Sequence, residues 1–197
     1  MAVTVINGRQ VSKTVDGIRE DHVRRYKFAA NLLKGKTVID AASGVGYGSS
    51  ILSDAGCVVH SYEVDEYSML LHRRHYGRST TVYHHANLNF VEFIKADAAV
   101  SFETIEHLCD PKIFLSKLSK SCSILIGSVP NQDVIPFNPV RHKYHFKHYT
   151  IEEITNLLKQ SGWTIYEMLY QHGKYGTESK LDNNRNGGST IVFRARS

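Results

Sequence analysis

Apolar positions recur every three to four residues through "EDHVRRYKFAANLL" (20–33), where Val23, Tyr26, Ala30 and Leu33 share one stripe and Gly35 follows, so the pattern predicts a helix that stops there. The period then shortens. "TVIDAA" (37–42) reads as a strand, a glycine-rich turn and a helix through "SSILSDA" follow, and "CVVHSYE" (57–63) is a second strand before the helix "DEYSMLLHRRHY". "TVYHH" (81–85), "DAAVSFE" (97–103) and "SILIGSV" (123–129) read as third, fourth and fifth strands, each apolar enough to be buried on both faces. Strands alternating with helices predict a three-layer α/β fold around a largely parallel sheet. Asp110 and Pro111 mark a helix start, with Phe114, Leu115 and Leu118 turned inward. Thr150 and Glu153 form a capping box that opens "IEEITNLLKQSG", which Gly162 closes. "WTIYEMLYQ" and "STIVFRAR" are two final strands joined by a loop over 172–188, long enough to be functional or disordered.

Composition adds limits. No repeat or low-complexity linker divides the 197 residues, so residues 1–197 read as one domain with an N-terminal arm over 1–19. A hydrophobic share of 42% supports a core, and 24 Lys+Arg against 19 Asp+Glu is too balanced for a disordered chain. Collagen-like and mucin-like readings are excluded. No run approaches the roughly eighteen apolar residues of a spanning helix, and the first residues lack the apolar block of a signal peptide, so a cytoplasmic protein without membrane contact is expected. Cys57, Cys109 and Cys122 form no C-x-x-C pair and are expected to be reduced thiols. The 11 histidines gather in "HRRH" (72–75), "HH" (84–85) and "RHKYHFKH" (141–148).

The most informative segment is "VIDAASGVGYG". Asp40 ends a strand, Gly44, Gly46 and Gly48 follow at alternate positions, and Glu63 stands at the tip of the next strand, nineteen residues after Gly44. Glycines let the backbone turn tightly and approach a ligand, and a carboxylate at that tip can take both hydroxyls of a ribose. A G-x-G-x-G spacing with an acid four residues ahead resembles the S-adenosylmethionine (SAM) loop of class I methyltransferases. The blocks "SFETIEHLCDP", "GSVPN" and "NPVRHKYHFKHYTIEEITNLL" resemble, in order, those of the family's small O-methyltransferases. The resemblance implies a Rossmann-like fold with seven strands, the last antiparallel, and SAM as cofactor. It places Asp40, Gly44 and Gly46 at the methionine end, Glu63 at the ribose, and Ala42 and Glu103 in the cofactor site. It matches Arg25 and Tyr26 to an Arg-Tyr pair lying across the cofactor. Asn87 stands where the family usually has an adenine-binding Asp.

If the fourth strand turns into helix at Glu103-Thr-Ile-Glu106-His107, these three side chains project to one side, and His142, His145 and His148 follow in a loop on the same sheet edge. Carboxylates with imidazoles suit Mg²⁺, Mn²⁺, Co²⁺ or Zn²⁺. The pattern resembles small-RNA terminal 2'-O-methyltransferases and ubiquinone-pathway O-methyltransferases, which implies a divalent ion on Glu103, Glu106, His107 and His145, with His142 the next downstream match. Without an ion the same side chains shape the pocket through hydrogen bonds, and His107 or His145 is the general base. "HRRHYGR" (72–78) reads mainly as a solvated helix end, whereas Arg141 and Lys143 border the presumed active edge and suit an anionic acceptor, with Lys174, Lys180 and Arg185 as further cations. The pocket is expected between the arm, the 130–149 loop and the 172–188 loop. The expected reaction is methyl transfer from SAM to a hydroxyl oxygen of a small polyhydroxylated molecule or a terminal ribose of RNA, with a nitrogen acceptor, a protein partner and a homodimer left open. The alternative is a non-catalytic SAM-fold binding or assembly module.

Overall fold

A computed structural model of the chain describes residues 4–6, 9–173 and 181–197. The arm forms a hairpin of β1 (Thr4–Ile6) and β2 (Arg9–Val11), which sequence patterning alone left as an arm. The helix α1 (Glu20–Leu32) leads into β3 (Thr37–Ala41), α2 (Tyr47–Asp54), β4 (Val58–Glu63) and α3 (Glu66–Leu71), which runs on into a π-helical turn over His72–Tyr76. Then come β5 (Thr81–His85), β6 (Ala98–Phe102), a 3₁₀ turn over Ile105–His107, α4 (Pro111–Ser121) and β7 (Ile124–Pro130). The chain ends with α5 (Ile151–Gln160), β8 (Thr164–Gln171), β9 (Leu181–Asp182) and β10 (Thr190–Arg196).

The main sheet has the order β5-β4-β3-β6-β7-β10-β8-β9. Its first five strands are parallel, and β10 runs antiparallel to both neighbours. The seven expected strands are present, and the sheet gains an eighth because Leu181–Asp182, inside the predicted loop, pairs with Tyr170 and Gln171. Expected burial on both faces holds for β6 and nearly all of β7, but β5 is the sheet edge, so His85 and Val82 are exposed. Tyr26, Ala30 and Leu33 of the predicted stripe pack with Leu52 of α2 on Val38, Val59 and Val100 of one face. Phe114, Leu115 and Leu118 of α4 pack with Ile154 and Leu158 of α5 on the other.

Local chemistry fixes the elements. The Asp110 side chain accepts from the Ile113 N–H at the start of α4, and the Thr150–Glu153 capping box closes in both directions on α5. Trp163 donates its ring N–H to the Leu115 carbonyl, which ties the end of α5 to α4. Cys57 and Cys122 are buried free thiols and Cys109 is exposed. Among the described residues no helix is long and apolar enough to cross a membrane.

Candidate active site

The carboxyl ends of the parallel strands open on a cavity of about 580 Å³, within the usual range for small-molecule sites. The turn after β3 forms its floor. Gly44 sits at φ +56°, and a Cβ there would project into open space. Gly46, at φ +91°, has a different duty: a Cβ there would lie 2.0 Å from the buried ring of His72, so the missing side chain admits that ring beneath the turn. Two non-glycine residues also adopt left-handed backbone, Ala42 at φ +62° and Glu103 at φ +50°, and both line the cavity. Such conformations cost on the order of 1–3 kcal/mol each and collect at functional sites.

Glu63, at the tip of β4, is buried and turned toward the glycine turn. Its Oε2 accepts from the Gly44 N–H at 2.9 Å, and Oε1 accepts from the N–H groups of Val64 and Asp65. The acid at the end of β3 is placed otherwise. Asp40 is fully buried and does not line the cavity; it accepts from the Tyr26 hydroxyl at 2.9 Å and the Ser49 hydroxyl at 2.6 Å. Arg25 and Gly46 also lie outside the lining, whereas Tyr26, Ala42, Gly44, Glu63, Asn87 and Glu103 are in it. Arg25 is completely buried. It donates to Gln171 and lies 3.8 Å from Asp21, while its Nε and Nη2 have no hydrogen-bond partner among the described residues.

Burial pushes the Asp40 carboxyl up to about 6, against the opposing pull of the Ser49 and Tyr26 hydroxyls and with a further push from Glu63. The folded state therefore keeps a proton that the unfolded chain has lost, and stability falls as pH rises through that window. Asp40→Asn is expected to flatten the dependence of unfolding free energy on pH between about 4 and 6, where the wild type loses at most roughly 3 kcal/mol. Denaturant titrations at several pH values check this; equal slopes in the two proteins would contradict it.

Beyond β6 the chain does not enter an α-helix. The left-handed turn at Glu103 sends that side chain back to the sheet, where Oε1 accepts from the Ser128 hydroxyl at 3.0 Å. Glu106, His107 and His145 come together instead, with one ligand atom from each lying within 4.8 Å of the others. The expected four-residue set is thus corrected: Glu103 is not in this cluster. His145 is delivered by the 138–148 loop, which the Phe146 N–H pins to the Glu106 carbonyl at 2.7 Å. Apart from an approach of its own backbone N–H, the buried Glu106 carboxylate has no hydrogen-bond partner among the described residues. Burial, and then the neighbouring Glu103, raise its pKa well above the ordinary carboxylate range. Burial and three neighbouring histidines push His145 down to about 3.

Sequence reasoning missed several wall residues. Gln10, Arg19 and His22 reach the cavity from the arm and the start of α1, Tyr47 from the head of α2, and Tyr144 from the 138–148 loop. His22 lies 3.1 Å from the Tyr47 hydroxyl, and burial drives its imidazole well below the usual value. Gln10 and Arg19 come from the arm and Tyr144 from the 130–149 loop, both expected at the pocket, whereas the start of α1 and the head of α2 are brought over it by the tertiary fold. No described residue of 172–188 lines it, Arg185 included, and Lys174 and Lys180 fall outside the described residues. Of the 72–78 patch, Arg73 stacks over the Tyr83 ring and Arg78 pairs with Asp54 at the surface, as a solvated helix end would, but His72 and Tyr76 are buried, because their rings pack inside. Arg141 and Lys143 are exposed next to the cavity wall, with Lys143 over the ring of Tyr144.

A protein-family model described as "Methyltransferase domain" matches residues 18–168. A curated protein of Mycolicibacterium smegmatis, described as a probable S-adenosylmethionine-dependent methyltransferase, is 29% identical over 194 residues, which covers 91% of this chain and 73% of that protein. The CcbJ methyltransferase from Streptomyces caelestis superposes with a TM-score of 0.75 at 13% identity, covering 95% of this chain and 92% of that one. Magnesium protoporphyrin IX methyltransferase from Synechocystis PCC 6803, solved with bound SAM, superposes with a TM-score of 0.63 at 21% identity, covering 90% and 77%. The two structures share the fold, with β10 antiparallel beside β7 and a glycine turn after the central strand as its local marks here. On the family match, the relative and this architecture, the chain belongs to the class I S-adenosylmethionine-dependent methyltransferases.

Proposed function

We propose that this enzyme methylates a hydroxyl oxygen of an acceptor with two neighbouring hydroxyls, a polyhydroxylated small molecule or the terminal ribose of an RNA, at a centre where Glu106, His107 and His145 hold a divalent cation. The observation that carries the reading is Glu106: a fully buried carboxylate whose two oxygens, apart from the approach of its own backbone N–H, have no hydrogen-bond partner among the described residues, grouped with two imidazoles. A buried anion left so is costly unless a cation completes it. One oxygen ligand with two nitrogen ligands suits Mn²⁺, Co²⁺ or Zn²⁺ better than Mg²⁺, which prefers oxygen. When bound, such an ion lowers the pKa of a hydroxyl and fixes its orientation. His107 supports this through its Nδ1, which donates to the Tyr144 carbonyl at 2.8 Å and so leaves Nε2 as the lone-pair atom of the ring. Should no cation be present, a neutral His107 or His145 is the group able to take the hydroxyl proton.

For the cofactor, the open space above Gly44 and the carboxylate of Glu63 beside it fit an amino-acid-bearing nucleoside. SAM supplies a methyl group already activated by a positive sulfur, so the protein needs no covalent intermediate. Gly44 and Ala42 would admit the methionine end, Glu103 would face its ammonium group, and Glu63 would take the ribose hydroxyls. The Asn87 oxygen, which accepts from the Asn89 N–H, keeps a second lone pair for the adenine amino group. Asp40 acts from behind by holding Tyr26 and α2 in place, Gly46 by admitting His72, and Arg25 by placing a buried positive charge near Tyr26 and Glu106. Exposed Arg141, Lys143, Tyr144 and Phe146 beside the cavity support an anionic or ring-bearing acceptor.

The test is turnover on catechol and ribonucleoside acceptors before and after chelation. Activity lost to chelator and restored by Mn²⁺ is expected; chelator-insensitive turnover would end the cation reading. Glu63→Ala is expected to weaken SAM binding by about 1–3 kcal/mol, the scale of a lost charge-assisted hydrogen bond. A calorimetric dissociation constant equal to that of the wild type would reject the ribose assignment.

A further inference from the structure

Next to His145 stands a line of groups to which the reaction centre itself assigns no role. Nδ1 of His145 lies 2.9 Å from Nε2 of His148, and Nδ1 of His148 lies 2.6 Å from the carbonyl oxygen of Ile135. His148 is only 2% exposed. The order of protons along this line follows from its far end. A carbonyl oxygen can only accept, so Nδ1 of His148 carries the proton. In the neutral ring Nε2 is then the lone-pair atom, and it can accept only from a protonated Nδ1 of His145. Nε2 of His145 is left as the lone-pair atom of that ring, and His145 is the ring that meets Glu106 and His107. Ile135 is held in turn, because its N–H donates to the Asn131 carbonyl at 2.7 Å, and the Asn131 side chain donates to the Gly188 carbonyl.

We propose that His148 is a positioning residue that fixes His145 as the Nδ1–H tautomer and keeps the Nε2 lone pair directed at the reaction centre. The Tyr144 carbonyl does the same for His107, so both imidazoles of the centre are set by acceptors lying outside it. A ring that acts as a ligand or as a base must present a lone pair, and an imidazole free to exchange tautomers offers it from the required nitrogen only part of the time. The inference rests on reading Glu106, His107 and His145 as that centre, but the tautomer itself can be observed with nothing bound.

The experiment is long-range proton–nitrogen correlation on the full chain labelled with ¹⁵N-histidine, with the His145 signals identified by their loss in His145→Gln. In the wild type, a pyrrole-type Nδ1 and a pyridine-type Nε2 are expected. His148→Phe keeps the site filled by an aromatic ring and is expected to switch His145 toward the Nε2–H form. His148→Gln, whose amide can both donate to the Ile135 carbonyl and accept from Nδ1, is expected to retain the wild-type pattern. An Nε2–H form in the wild type, or an unchanged pattern in folded His148→Phe, overturns the proposal. If His148→Phe fails to fold, the wild-type and His148→Gln spectra decide it. Calorimetry with Mn²⁺ alone gives the second readout: about 10- to 100-fold weaker binding in His148→Phe and recovery to within about threefold in His148→Gln. Equal Mn²⁺ affinity in all three proteins would count against positioning. A wild type that shows the Nδ1–H form yet takes no Mn²⁺ would sink the cation reading while supporting the role of His148.

Discussion

Glu106→Gln is expected to make the protein harder to unfold and nearly inactive. Among the described residues the wild-type carboxylate is buried with no partner beyond its own backbone N–H, and burial together with Glu103 raises its pKa. The folded state thus binds a proton more tightly than the unfolded chain, so stability declines as pH rises above the ordinary carboxylate range. A neutral amide removes that decline. The gain at neutral pH is expected to be about 1–3 kcal/mol, or very roughly 2–4 °C in melting temperature per kcal/mol for a domain of this size. Divalent ions should raise the melting temperature of the wild type and leave that of the variant unchanged, because the variant lacks the one anionic ligand of the three. Turnover is expected to fall by roughly 100-fold or more, the several kcal/mol that metal-assisted activation supplies. SAM affinity should hold. A variant less stable than the wild type at pH 7 without ions, and equally active, would show that Glu106 is an ordinary packing residue.

Gly44→Asn is expected to abolish cofactor binding with little damage to the fold. Asparagine tolerates left-handed backbone better than other side chains, so the φ of +56° costs little, and its Cβ points into open cavity. Filling that space should weaken SAM by at least about 100-fold, or roughly 2.7 kcal/mol. Gly46→Ala gives the opposite signature, because its Cβ would lie 2.0 Å from the His72 ring. It combines left-handed strain with overpacking and should cost about 2–5 kcal/mol of stability. Thermal unfolding and calorimetry on the two variants separate a ligand-facing glycine from a packing glycine. Matching losses of stability and affinity in both would contradict the division.

The long elements of this fold were readable because each carries its own signal. The α1 stripe, the Asp110-Pro111 start and the Thr150–Glu153 box state their partners locally, and the runs around Val38, Val100 and Leu125 are buried as their apolar character requires. Strands of two or three residues carry too few positions to show a period of two. β9 was therefore invisible, although Asn7-Gly8 is a hairpin signal that does point to β1 and β2. At the site, the grouping of Glu106, His107 and His145 was legible as a cluster of ligand types. The departure of Glu103 was not, because it depends on a left-handed turn and on Ser128 of the neighbouring strand, 25 residues away. That Asp40 lies behind the cavity lining was not legible for a related reason. Spacing locates a residue at the end of a strand, but what covers it comes from Tyr26 and Ser49 of two different helices.

Calorimetric titration of SAM into the wild-type chain, with Gly44→Asn and Glu106→Gln alongside, bears most directly on the whole account. Saturable one-to-one binding is predicted for the wild type and for Glu106→Gln, with none for Gly44→Asn. No heat from the wild type at millimolar SAM, or undiminished binding by Gly44→Asn, would contradict it.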